Sequence, residues 1–227
     1  MPGFHDLIAR FHFFREDVLL KERDFFAELA RGQAPKTLVV ACCDSRADPT
    51  ILMGVKPGDL FVVRSIAAIV PASGESAGPD AVMAAVEYGV KHLGVANIIV
   101  MGHSNCGGVH AALHPEAVES EPYIFNWVRL AQGVVDEEKN EHPVWKTPHE
   151  LQRRCEEGVV LNSINNLLSY EWVAEKVAAG TLALHALYYD MHEAMLHVWN
   201  HEREDFEATT LEALSCPLPA PGGKPAD

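Results

Sequence analysis

Apolar and polar positions alternate along the chain in two distinct ways. Between residues 5 and 31, apolar clusters (Leu7, Ile8, Phe11, Phe13, Phe14, then Val18, Leu19, Leu20, Phe25, Phe26, Leu29) are separated by charge at helical spacing and close at Gly32. This pattern predicts two amphipathic helices. An arm so rich in Phe must bury itself, against its own domain or against a partner subunit. Four later runs are almost continuously apolar: Thr37 to Cys42, Leu60 to Ile66, Asn97 to Met101 and Thr181 to Tyr189. They read as strands covered on both faces, and the helical pattern from Pro79 to Leu93 ahead of the third run makes the sheet mainly parallel. The expected class is therefore α/β, a mainly parallel sheet with flanking helices and an N-terminal helical arm.

Residues 114 to 157 are polar and acidic and carry four prolines, which predicts a surface excursion with short helices. Ser163 to Ala179 reads as a helix closing at Gly180. The dense Pro and Gly of residues 216–227 predict a disordered tail, leaving 1–215 as one domain with the arm at about residues 5–31.

Composition narrows the function classes. The 227 residues are 48% hydrophobic and 22% charged, the make-up of a folded globular chain. A formal charge of -14 repels polyanions, so nucleic acid is not expected as a partner. No run reaches the roughly 18 apolar residues of a membrane span, and the N-terminus lacks the apolar core of a signal peptide. Five cysteines, an odd number, fit a reducing compartment with free thiols better than a disulfide framework. A cytoplasmic protein is expected.

The chemistry concentrates in two segments, Cys42-Cys43-Asp44-Ser45-Arg46 and Gly102-His103-Ser104-Asn105-Cys106-Gly107-Gly108, at the ends of the first and third strands. Ligands bind beyond the carboxyl ends of parallel strands where strand order reverses. For both segments to serve one site, strands one and three must be neighbours, which predicts the order 2-1-3-4. Cys42 then comes from one lip, while His103 and Cys106 converge from a loop that turns into a helix. Two thiolates and an imidazole suit zinc and leave a fourth position open, as catalytic zinc sites do. The plainer alternative is a pair of buried core thiols. A further one is a nucleophilic Cys106 at a helix N-terminus with His103 as its base. Cys43 is expected to face away from the crevice, because successive strand residues alternate. Asp44 and Arg46 share the parity of Cys42 and would stand beside it, although an isolated surface ion pair would explain them equally.

These residues closely resemble the β-class carbonic anhydrases in their plant-type branch. Both motifs match in order and spacing, and the similarity runs from about residue 5 to 200 through Phe61-Val62-Val63-Arg64, Glu87-Tyr88 and Leu167-Leu168-Ser169-Tyr170. The resemblance implies one zinc per chain on Cys42, His103 and Cys106, with Asp44 and Arg46 as the catalytic dyad. It also implies a substrate pocket from Gln33, Phe61, Ile66, Tyr88 and the Gly107 backbone. In that family the Gln, Phe and Tyr positions reach across a dimer interface, so a homodimer or a dimer-based tetramer is implied. Ser65 departs from the asparagine usual after the arginine of that segment. Val39 and Ala41 replace the Trp and Gly of the regulated bacterial branch, so the bicarbonate site of that branch is not expected.

The implied reaction is reversible hydration of carbon dioxide to bicarbonate and a proton, through zinc-bound hydroxide positioned by Asp44 and Arg46. Two thiolates cancel the metal charge, so an alkaline-shifted activity profile is expected. The alternative within the same fold is a zinc hydrolase acting on carbon disulfide or carbonyl sulfide. His92, His110 and His185 lie near the motifs as candidate proton relays, with no basis in the sequence for choosing among them.

Overall fold

The computed structural model describes residues 2–75, 78–141 and 147–210. The tail expected at 216–227 lies outside them. The chain opens with helix α1 (Phe4–Phe14), which runs on through a wider turn, Arg15–Leu19, and then α2 (Arg23–Leu29). The two predicted helices are present, yet neither buries a residue. Phe4 is 72% and Phe13 69% exposed, so the arm has not found its partner surface within the described chain.

β1 (Thr37–Cys42) leads through the short α3 (Pro49–Leu52) to β2 (Leu60–Ser65). The second strand stops one residue short of expectation. Ile66 instead opens a single 3-10 turn in which Ala67 and Ala68 take φ of 59° and 55°. Helix α4 (Ala81–Tyr88) precedes β3 (Asn97–His103), and α5 (Gly107–Leu113) follows it. Then come α6 (Pro122–Val128), α7 (Gln132–Glu141), α8 (Pro148–Leu168), α9 (Glu171–Ala178) and β4 (Ala183–Asp190). Between α9 and β4, Gly180 takes φ +69°, the left-handed turn that stops the helix as its glycine predicts.

The sheet order is β2-β1-β3-β4, all parallel, as the two motifs required. Two antiparallel strands not read from the sequence, β5 (Met195–Asn200) and β6 (Asp205–Ala208), extend it beyond β4. One sheet face packs Leu38, Val40, Ile98, Val100 and Tyr188 against residues of α4, α8 and α9. The other carries a smaller cluster of Val39, Ala41, Met101 and Leu187, with Val62 and Ile99 only half-buried. Cover on that face is thinner than the apolar runs suggest.

Two expectations are corrected between residues 114 and 179. The surface excursion ends ten residues early, because 148–157 form the first half of α8, where Cys155, Glu156 and Glu157 are buried. The helix expected at Ser163 to Ala179 is two helices broken at Ser169 and Tyr170. There Tyr170 donates its hydroxyl to the Pro71 carbonyl at 3.1 Å and Ser169 Oγ accepts the Ser73 N–H at 2.8 Å. Helix α8 packs across β3 and β4. It comes so close at Gly102 that an added Cβ would stand 2.5 Å from Val160 Cγ2.

Candidate metal centre

The carboxyl ends of β1 and β3 lie side by side, and each delivers one arm of the site. Cys42 is the last residue of β1, His103 the last of β3, and Cys106 immediately precedes α5. All three are buried, and their ligand atoms lie within 4.8 Å of one another. Cys42 Sγ and Cys106 Sγ are 3.8 Å apart. Cys43 points outward and is exposed, as strand alternation predicts.

The donor set fits a soft-to-borderline divalent ion. His103 Nδ1 lies 2.9 Å from the Ser104 carbonyl, which can only accept, so the proton sits on Nδ1 and the Nε2 lone pair is free. That Nε2 is buried and has no hydrogen-bond partner among the described residues. The two sulfurs share a proton. The contact between them pulls the Cys42 thiol well below its ordinary value and pushes the Cys106 thiol well above it. A cation replacing that proton would meet two thiolates and one bare imidazole nitrogen, the chemistry zinc prefers.

Asp44 and Arg46 meet through a turn rather than through continued strand. Asp44 accepts Ala47 N–H on its carbonyl, and Arg46 returns to grip the carboxylate. Arg46 Nε donates to Asp44 Oδ1 at 2.9 Å, its Nη2 to Oδ2 at 2.7 Å, and its backbone N–H to Oδ1 at 2.9 Å. These bonds hold the Asp44 carboxyl well below the usual aspartate range. Asp44 Oδ2 lies 3.9 Å from His103 Nε2, so the clamped carboxylate stands at the edge of the donor set. Arg46 also reaches the Asn105 carbonyl at 3.2 Å, tying the first motif to the second.

Several residues to which the sequence assigns no role hold this arrangement. Arg64 donates to the carbonyls of Cys42 (2.8 Å) and Asp44 (2.6 Å) and to Asp48 Oδ2 (2.6 Å). Buried Glu156 accepts Cys106 N–H at 2.8 Å, Gln152 Nε2 at 2.9 Å and the Tyr188 hydroxyl at 2.8 Å. Ser65, the departure from the family pattern, accepts Cys43 N–H on its carbonyl and donates its hydroxyl to Ile69 O. His192 shares a 2.7 Å hydrogen bond with Asn105. Apart from the local Gln152–Glu156 and Ser65–Ile69 bonds, these contacts join elements distant in sequence.

The proposed pocket residues divide into two groups. Ile66 lies beside the metal-side helix, its Cγ2 2.5 Å from where a Gly108 Cβ would stand, and Gly107 opens α5 with free space around it. Phe61 and Tyr88 pack together, ring centroids 6.0 Å apart, at the other end of the sheet. Phe61 stands opposite Leu38 while Ser65 stands opposite Cys42, which puts Phe61 about 13 Å toward the amino ends of the strands. Gln33 is exposed just before β1, at that same end. One chain therefore does not bring Gln33, Phe61 and Tyr88 to Cys42. Of the relay candidates, His92 stacks on Tyr88, His185 bonds Asn97 in the amino half of the sheet, and His110 contacts Gln152 on the metal side.

The family model described as carbonic anhydrase matches residues 37–196. Among curated proteins, the chain is 38% identical over 197 residues to beta carbonic anhydrase 5, chloroplastic, of Arabidopsis thaliana, covering 86% of this chain and 64% of that one. It is 32% identical over 200 residues to a carbonic anhydrase of Helicobacter pylori, covering 86% and 89%. Among solved structures, the β-carbonic anhydrase CcaA superposes with a TM-score of 0.86 at 29% identity, over 90% of this chain and 98% of that one. A structure reported for two tetrameric β-carbonic anhydrases of Sordaria macrospora gives 0.76 at 29% identity, over 86% and 95%.

Proposed function

The chain belongs to the β-class carbonic anhydrases, and on that premise we propose that it interconverts carbon dioxide and bicarbonate at a zinc held by Cys42, His103 and Cys106. The observation that carries this reading is the bare, buried Nε2 of His103, which lies among two thiols and 3.9 Å from a carboxylate clamped by Arg46. When bound, zinc supplies the Lewis acidity that makes water a nucleophile, less strongly than with three neutral imidazoles because two thiolates cancel its charge.

The protein groups then select and aim the reacting oxygen. Asp44, held ionised by Arg46, can only accept a hydrogen bond, so it favours an oxygen that still carries a proton and turns its lone pair toward the incoming carbon. Ile66 offers apolar surface on the same side, suited to a substrate that accepts hydrogen bonds poorly. The rest of the pocket comes from a second copy. β2 is an edge strand, and a two-fold related β2 would lie antiparallel to it, bringing the partner's Phe61 end to this chain's Cys42 end. The exposed Phe-rich arm gives such a dimer further apolar surface, and pairing of dimers gives the tetramer. Thiols that must stay reduced to hold metal suit the cytoplasm.

Stopped-flow hydration of carbon dioxide by zinc-loaded protein, compared with Asp44→Asn, tests the reading. Wild type should hydrate carbon dioxide more rapidly as pH rises, and the variant should keep its zinc while losing roughly a hundredfold in kcat/KM. Zinc-loaded protein inert toward carbon dioxide but active on carbon disulfide or carbonyl sulfide would overturn it in favour of the hydrolase.

A further inference from the structure

We propose that Asp190, Glu193 and His197 form a second divalent-cation site, for an ion of the Zn2+ or Mn2+ kind, on the β4–β5 hairpin. The three residues share no ligand with the cysteine site. Their ligand atoms all lie within 4.8 Å of one another. Tyr188 and His197 are directly paired across the two strands, so His197 and Asp190 project to the same face of the sheet. Asp190 is 5% and His197 7% exposed.

His197 supplies the observation that points to a ligand. Neither of its ring nitrogens has a hydrogen-bond partner among the described residues, although the ring is more than nine-tenths buried. Its Nε2 is aimed at Glu193 Oε2, 3.9 Å away, too far for a hydrogen bond and about the separation of two ligands on one ion. The hairpin sets the carboxylates. Asp190 Oδ1 accepts the N–H groups of His192 (2.9 Å) and Glu193 (3.2 Å), and Arg153 lies 3.4 Å from Oδ2. Arg153 is itself shared with Glu157, so it does not fully neutralise Asp190. Glu193 is 63% exposed and can close over an ion entering from solvent.

One imidazole and two carboxylates select borderline cations; a soft Cu+ would want sulfur and Ca2+ more oxygens. Two carboxylate charges balance a divalent ion, and the imidazole adds a nitrogen donor. This inference stands apart from the carbonic anhydrase reading, since it concerns other residues and a measurement that needs no turnover.

The test is equilibrium dialysis of the zinc-loaded protein against buffered free Zn2+, with metal counted per chain, for wild type, Glu193→Gln and His197→Leu. The cysteine site supplies the first equivalent in all three and serves as the internal control. Wild type should take up a second equivalent, and each variant should bind it at least about tenfold more weakly. Because Glu193 is exposed, its variant keeps the test sound even if the buried His197 substitution disturbs folding. A single equivalent at every free-zinc concentration, or a second one that Glu193→Gln retains undiminished, would overturn the proposal.

Discussion

Glu156 and Cys106, fifty residues apart in sequence, are joined by a 2.8 Å hydrogen bond from the Cys106 backbone N–H to a buried carboxylate. The same carboxylate takes the Tyr188 hydroxyl and the Gln152 amide, so α8 grips the metal-side loop at its turning point. Burial pushes the Tyr188 phenol up, which keeps it protonated and able to donate. Glu156→Gln exchanges an acceptor oxygen for an NH2 that must confront one of these donors. The variant should fold with unchanged circular dichroism but hold zinc about 10- to 100-fold more weakly in chelator competition. Unaltered zinc affinity would show that the loop does not depend on α8.

Asp48 stabilises the opposite wall. It caps α3, accepting Thr50 Oγ1 and the N–H groups of Thr50 and Ile51, and pairs with Arg64. The Thr50 hydroxyl, with these backbone donors and Arg64, lowers its carboxyl below the usual value. A lowered carboxyl contributes stability above the unfolded aspartate value near 4 and loses it as pH falls through the folded value. Urea unfolding should therefore place Asp48→Asn about 1 kcal/mol below wild type at pH 6, with the gap closing below about pH 4. A gap independent of pH would mean the carboxylate charge is not what matters.

The arm carries a concentration-dependent prediction. Replacing Phe11 and Phe13, 52% and 69% exposed, by Asp leaves the sheet core untouched. On the proposed dimer, sedimentation should show a smaller species, and hydration activity should fall with it, because Gln33, Phe61 and Tyr88 would lose their place beside a second chain's cysteine cluster. A fully associated, fully active variant would show that the arm serves another purpose.

How far the sequence led depended on whether a feature was local. The order of the four parallel strands followed from requiring two strand-end motifs to meet, and the cysteine–histidine cluster followed with it. The hairpin after Asp190 was missed because Met195–Asn200, MLHVWN, is short and mixes polar with apolar residues. The start of α8 looked like solvated surface because Gln152 to Glu157 is nearly all charged or polar. Glu156 is buried there because Tyr188 and Cys106 arrive from elsewhere to satisfy it, while Glu157 is paired within the helix by Arg153 and Arg154. One local signal was available. Thr147, Pro148 and Glu150 spell a capping box with proline at the first helical position, and both reciprocal bonds are present.

In the dimer proposed above, the 13 Å between Phe61 and the Cys42 end of the strands would give each chain halves of two different sites. Defects on opposite halves would then be separable in the manner of complementing alleles. A chain lacking Asp44 could still lend sound aromatic residues to a neighbour, and a chain lacking Phe61 and Tyr88 could still offer a sound cysteine cluster. Co-assembled in equal amounts, two inactive proteins should regain about a quarter of the parental rate, one working site in each mixed pair.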